Sequence, residues 1–126
     1  MVTRKGQAIL FNEKDVRAMG RSAAGVRGIK LRSADEVIAM DVVKNPLLEL
    51  ITISENGIGK KTRISQFGVQ RRGGIGLRAA KVSARTGNIV EAFTILGDTK
   101  GDLAIISSHG QVIRLPLKSV KRLGRD

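Results

Sequence analysis

Sliding the sequence along itself brings three segments into line: VTRKGQAILF from Val2, ISENGIGKKT from Ile53 and ISSHGQVIRL from Ile106. The offset is about fifty residues, a spacing at which each copy is one supersecondary unit that buries its apolar face only against its neighbours. Every copy holds a short apolar or small-residue run, a turn ending in glycine (Gly6, Gly57, Gly110) and a second run. The register holds downstream. GRSAAGVRGIKL from Gly20 lies over RRGGIGLRAAKV from Arg71, which sets Arg21 on Arg72, Gly25 on Gly76, Arg27 on Arg78 and Lys30 on Lys81. A third copy of this stretch begins at Leu123-Gly124-Arg125-Asp126, matching Met19-Gly20-Arg21-Ser22, and is cut short.

The repeating unit reads as β. LLELITIS, DLAIISS, EVIAMDVV and NIVEAF are short runs rich in Val, Ile and Leu, bounded by Gly, Asn, Asp and Pro, without a sustained helical period. Asn56-Gly57 predicts a two-residue primed hairpin turn, which needs the positive φ that Gly and Asn tolerate. About four strands per repeat follow, and four-stranded sheets recurring at this spacing are propeller-like blades, which close as rings of ~4 to 8. The expected architecture is all-β: one domain over residues 1–126, with repeats at roughly 1–46, 47–98 and an incomplete 99–126. Such an open array leaves strand edges unpaired, so self-association is expected.

Charge narrows the partner. The chain carries 23 Lys and Arg against 11 Asp and Glu, a formal charge of +12, well beyond what solubility requires. Between Glu55 and Glu91 there is no acidic residue, while Lys60, Lys61, Arg63, Arg71, Arg72, Arg78, Lys81 and Arg85 all fall there. A polyanion is indicated. Three Phe and no Tyr or Trp argue against single strands or RNA, whose readers stack bases on aromatic platforms. Backbone contact with a duplex, largely insensitive to sequence, remains.

Within the basic tract, QRRGGIGLRAAKV from Gln70 to Val82 sets paired arginines before a glycine run. Guanidinium forks grip phosphate oxygens, and Gly73 and Gly74 are expected to remove side chains that would hold DNA away. Arg21 and Arg125 inherit that role by register. GIGKKT at Gly57–Thr62 is not a phosphate loop, because Ser54 sits where the first glycine is required and Lys61 where Ser or Thr must follow the lysine. It reads as a hairpin with a basic second strand, on which Lys60, Lys61 and Arg63 alternate faces and one set points outward. Arg17 before the first box, and Lys121 and Arg122 before the third, join the candidate set. His109 reads as a turn residue, and with one His and no Cys an ordinary zinc site is not supported; no cofactor is called for. No apolar run spans a membrane and no signal peptide is evident, so a cytoplasmic location is expected.

Four stretches, VRAMGRSAAGVRGIKL, DEVIAMDVV, ISENGIGKKTRISQFGVQRRGGIGL and SSHGQVIRLPLKSVKRLGRD, cover nearly the whole chain in order. Together they resemble the carboxy-terminal domain of the gyrase A family, and less closely that of its topoisomerase IV counterpart. The resemblance implies a partial β-pinwheel of about two and a half blades. It implies blades that exchange strands, a basic rim that wraps double-stranded DNA in support of negative supercoiling, and a nucleoid-associated parent enzyme that holds the rest of gyrase A together with gyrase B. It also implies a box of the form Gln, basic, Arg, Gly, Gly, basic, Gly. Gln70, Arg71, Arg72, Gly73, Gly74 and Gly76 fit that form, whereas Ile75 stands where a second basic residue belongs. QRRGGIG is therefore read as a box-like copy in a blade other than the first. Two further readings stay open: a propeller-like module for an acidic protein partner, and the topoisomerase IV homologue. Strand cleavage by a tyrosine nucleophile is not available, since the chain has no tyrosine.

Overall fold

In the computed structural model, which describes residues 1–126, each aligned segment folds as a hairpin. The strands in chain order are β1 (Val2–Thr3), β2 (Gln7–Ala8), β3 (Val37–Ala39), β4 (Leu48–Ser54), β5 (Gly59–Arg63), β6 (Leu77–Arg78), β7 (Ile89–Leu96), β8 (Asp102–Ile106) and β9 (Val112–Pro116). Short 3-10 turns at Glu13–Asp15, Ile64–Gln66 and Leu117–Ser119 follow the three hairpins at equivalent places. No helix is long and apolar enough to cross a membrane.

Three sheets form, ordered β3-β1-β2-β6, β5-β4-β7 and β8-β9. The first is completed from outside its own repeat: β6 of the second repeat pairs antiparallel with β2, placing Gln7 opposite Arg78 and Ala8 opposite Leu77. The next joint is bridged differently. Lys121–Leu123 of the third repeat runs parallel beside β5 as an isolated bridge: the Lys61 N–H donates to the Lys121 carbonyl at 2.8 Å and the Leu123 N–H to the Lys61 carbonyl at 2.9 Å. Its counterpart at the first joint is the Gln70 N–H donating to the Leu10 carbonyl at 2.7 Å. The β8–β9 ladder has no further strand on either edge and leaves Ile106, Val112 and Ile113 exposed.

Packing explains why β4 reads as an almost unbroken apolar run, since it is covered on both faces. Leu50 joins Val2, Ala8, Ile64, Phe67, Ala79, Ala80, Ile89 and Ala92 in the core. From the other face, Ile51 and Ile53 pack on Leu117, with Phe93, Ile95 and Leu103 around them. Alternation along one strand thus glues three sheets into a stack.

The hairpin turn differs from the primed turn expected at Asn56-Gly57. The Gly57 N–H donates to the Ser54 carbonyl at 2.9 Å and the Ser54 N–H to the Ile58 carbonyl at 3.0 Å, a three-residue loop in which only the glycine takes positive φ. A hydroxyl opens each such loop and accepts the backbone N–H four residues on: Thr3 from Gln7, Ser54 from Ile58 and Ser107 from Gln111.

Candidate nucleic-acid interface

The basic positions divide by what surrounds them. Arg17, Arg21, Arg27, Arg63, Arg71 and Lys121 are exposed, and none of their side chains donates to a protein acceptor. Arg78, on the exchanged strand β6, is exposed and lies 4.0 Å from the Asp126 carboxylate, too loose a surface pair to hold it. These side chains carry their charge into solvent, where it is available to an anion.

Lys60 and Lys61 require a correction to the outward placement expected of them. Both are buried, their ammonium groups held against the third repeat's segment between Leu117 and Arg125. The Lys60 ammonium donates to the carbonyls of Gly124 at 2.7 Å and Arg125 at 3.0 Å, and that of Lys61 to the Leu117 carbonyl at 3.0 Å. Backbone oxygens replace the water that an exposed ammonium keeps. Burial pulls the Lys60 pKa below its ordinary value, with the Asp126 carboxylate opposing. Of the basic residues on β5, only Arg63 faces solvent.

Arg122 is likewise engaged, through its guanidinium Nε–H, with the Glu49 carboxylate on β4. Glu49 has 3% of its side chain exposed, and its second oxygen has no hydrogen-bond partner. That hydrogen bond, with the carboxylate's charge behind it, raises the Arg122 pKa further.

The box shows a division of labour that nothing in its sequence declares. Arg71 points away from the protein, but Arg72 donates from Nε to the Asp15 carbonyl at 2.9 Å and from Nη1 to the Arg27 carbonyl at 3.1 Å. Gly73 and Gly74 lie against the first repeat: the Gly73 N–H donates to the Gly28 carbonyl at 2.6 Å, and the Gly74 carbonyl accepts from the Lys30 N–H at 2.8 Å. A side chain on Gly76 would collide with the Ala8 carbonyl. The glycines therefore admit close approach, but of the chain's own preceding repeat, with Gln70 tied to Leu10 in the same seam. Arg125 repeats the Arg72 contact one joint later, donating from Nη1 to the Arg78 carbonyl at 3.3 Å. Each joint thus brings a pair of arginines together, Arg27 with Arg72 and Arg78 with Arg125.

The family model described as DNA gyrase C-terminal domain, beta-propeller, matches residues 1–44, 48–95 and 101–126. The gyrase A protein of Aminobacterium colombiense is 44% identical over 126 residues, covering 99% of this chain and 15% of that protein. The gyrase A protein of Staphylococcus aureus is 38% identical over 124 residues, covering 98% of this chain and 14% of that protein. The chain thus spans about one seventh of the length of these relatives. Among solved structures, a DNA gyrase A C-terminal domain superposes with a TM-score of 0.84 at 31% identity, covering 99% of this chain and 42% of that one. A DNA topoisomerase IV C-terminal domain superposes at 0.88 with 20% identity, covering 98% and 38%.

Proposed function

The chain belongs to the DNA gyrase C-terminal domain family, a non-catalytic part of a type II topoisomerase, and from that premise we propose that it holds and wraps double-stranded DNA through the phosphate backbone. One observation carries this reading. Arg17, Arg21, Arg27, Arg63, Arg71 and Lys121 are exposed with no acceptor in the chain for their side chains, and at both joints a guanidinium grips the backbone carbonyl of an exposed arginine in the repeat before, Arg72 that of Arg27 and Arg125 that of Arg78. Exposed cations that recur in successive repeats suit a polymer of regularly spaced phosphates. Nothing in the exposed set suggests base readout, so the duplex is held with little regard to sequence, and bending it supports negative supercoiling by the parent enzyme. There the domain works beside gyrase B and the rest of gyrase A, in the cytoplasm at the nucleoid.

Arg71→Ala tests this directly, because Arg71 is exposed and donates to no acceptor within the chain. Fluorescence anisotropy with three unrelated duplexes of a few tens of base pairs should give parent affinities within about threefold of one another. The variant should bind each about fivefold more weakly, with its melting temperature unchanged. A loss confined to one sequence would argue for base readout. Displacement of the duplex by polyglutamate at equal charge would favour an acidic protein as the partner.

A further inference from the structure

We infer that Arg72 and Arg125, which hold the same register in successive repeats, are positioning residues, latches that fix the angle between successive sheets, and not themselves phosphate ligands. The contact occurs twice at register-equivalent positions. Arg72 donates to the carbonyl of Arg27 at 3.1 Å, and Arg125 to the carbonyl of Arg78 at 3.3 Å, where Arg78 is the counterpart of Arg27. At the first joint the fork is used twice, since Nε also reaches the Asp15 carbonyl at 2.9 Å. Arg72 is half-buried, whereas its neighbour Arg71 is exposed and unpaired. Adjacent arginines in one motif therefore have different tasks.

The acceptors give the latch its leverage. Arg27 and Arg78 are themselves members of the exposed cationic set, so gripping their backbone sets where their guanidiniums stand relative to the next repeat. A rigid planar fork makes such a contact, and a flexible ammonium does not reproduce it. Two sheets free to rock about their joint would still carry the same charge, but would present it on a looser curve. Arg21 holds the same register in the first repeat and donates to no acceptor in this chain. It serves as an internal control.

Conservative replacement separates latch from ligand, because Arg→Lys keeps the charge. The duplex-wrapping reading is required only for the DNA half of the experiment. Arg72→Lys is expected to lower the melting temperature by about 5 °C and Arg125→Lys by about 2 °C, with Arg21→Lys at the parent value. At about 15 °C, with each variant folded by circular dichroism, energy transfer between the ends of a saturated duplex should fall for Arg72→Lys. The salt dependence of its binding should stay that of the parent. Arg125→Lys, at the more peripheral joint, carries the same test should Arg72→Lys fail to fold. The latch is refuted if both lysine variants melt and bend DNA as the parent does, or if Arg72→Ala keeps the melting temperature and loses about one unit of salt slope. Absence of duplex binding by the parent would overturn the proposed function and leave the melting comparison to decide the latch.

Discussion

Gly76→Ala is expected to destabilise the fold by about 3 kcal/mol or more, while Gly25→Ala, its counterpart one repeat earlier, costs about 1 kcal/mol. Both glycines have positive φ, +75° and +84°. Both substitutions therefore carry the left-handed backbone penalty of an L side chain. They differ in what the new methyl would meet. At Gly25 there is nothing within 4 Å, but at Gly76 the methyl would overlap the Ala8 carbonyl oxygen and sit 2.9 Å from its carbon. Ala8 is on β2, the strand that receives β6, so the clash falls on backbone that cannot move without unzipping the exchange. Urea unfolding of the two variants beside the parent measures the difference. Equal losses would mean that the strand exchange is not held as tightly as the Gln7–Arg78 and Ala8–Leu77 pairing indicates.

Arg122→Ala is expected to destabilise the fold measurably, although the side chain it removes is about half exposed. The cost comes from the other partner. Glu49 is buried in β4 with one oxygen unpartnered, so removing the guanidinium leaves a carboxylate with neither water nor countercharge. Gly97 is pressed against the pair, its place for a Cβ lying 2.9 Å from Glu49 Oε2 and 3.1 Å from Arg122 Nη2, which leaves little room for adjustment. The deficit should be largest in the third repeat, which is tied to β5 through the segment that holds Arg122. Hydrogen exchange at the Lys61 and Leu123 amides should quicken in the variant before the first sheet loosens. Adding Glu49→Gln to Arg122→Ala should recover part of the loss, because a neutral amide is less costly to bury than a charge. If Arg122→Ala melts with the parent, Glu49 is reaching water by a route this structure does not contain.

The turn glycines and Val/Ile/Leu runs suffice to read the repeat, its β character and the strand positions, because hairpins are local and declare themselves within ten residues. The joints are not legible in that way. Lys60 and Lys61 look like a solvated basic strand until Gly124, Arg125 and Leu117 are placed beside them, more than fifty residues away in the chain. Arg72 reads as a phosphate ligand because nothing local distinguishes it from Arg71; what does so is a pair of carbonyls in another repeat. Glu49 is the local signal that could have exposed a joint: it interrupts LLELITIS, and a carboxylate inside a run buried on both faces demands a cation somewhere. Thr3, Ser54 and Ser107 are a second, since a hydroxyl at the same place in every copy marks the cap of a three-residue loop.

The salt dependence of duplex binding bears most directly on a cationic track that holds phosphate. Arg17, Arg21, Arg27, Arg63, Arg71 and Lys121, all exposed and unpaired, make roughly four to six phosphate contacts a reasonable footprint. A plot of log affinity against log salt between about 50 and 300 mM should then fall with a slope of about −3.5 to −5.5. A slope near zero, or no binding to duplex at the low end of that range, would contradict the account.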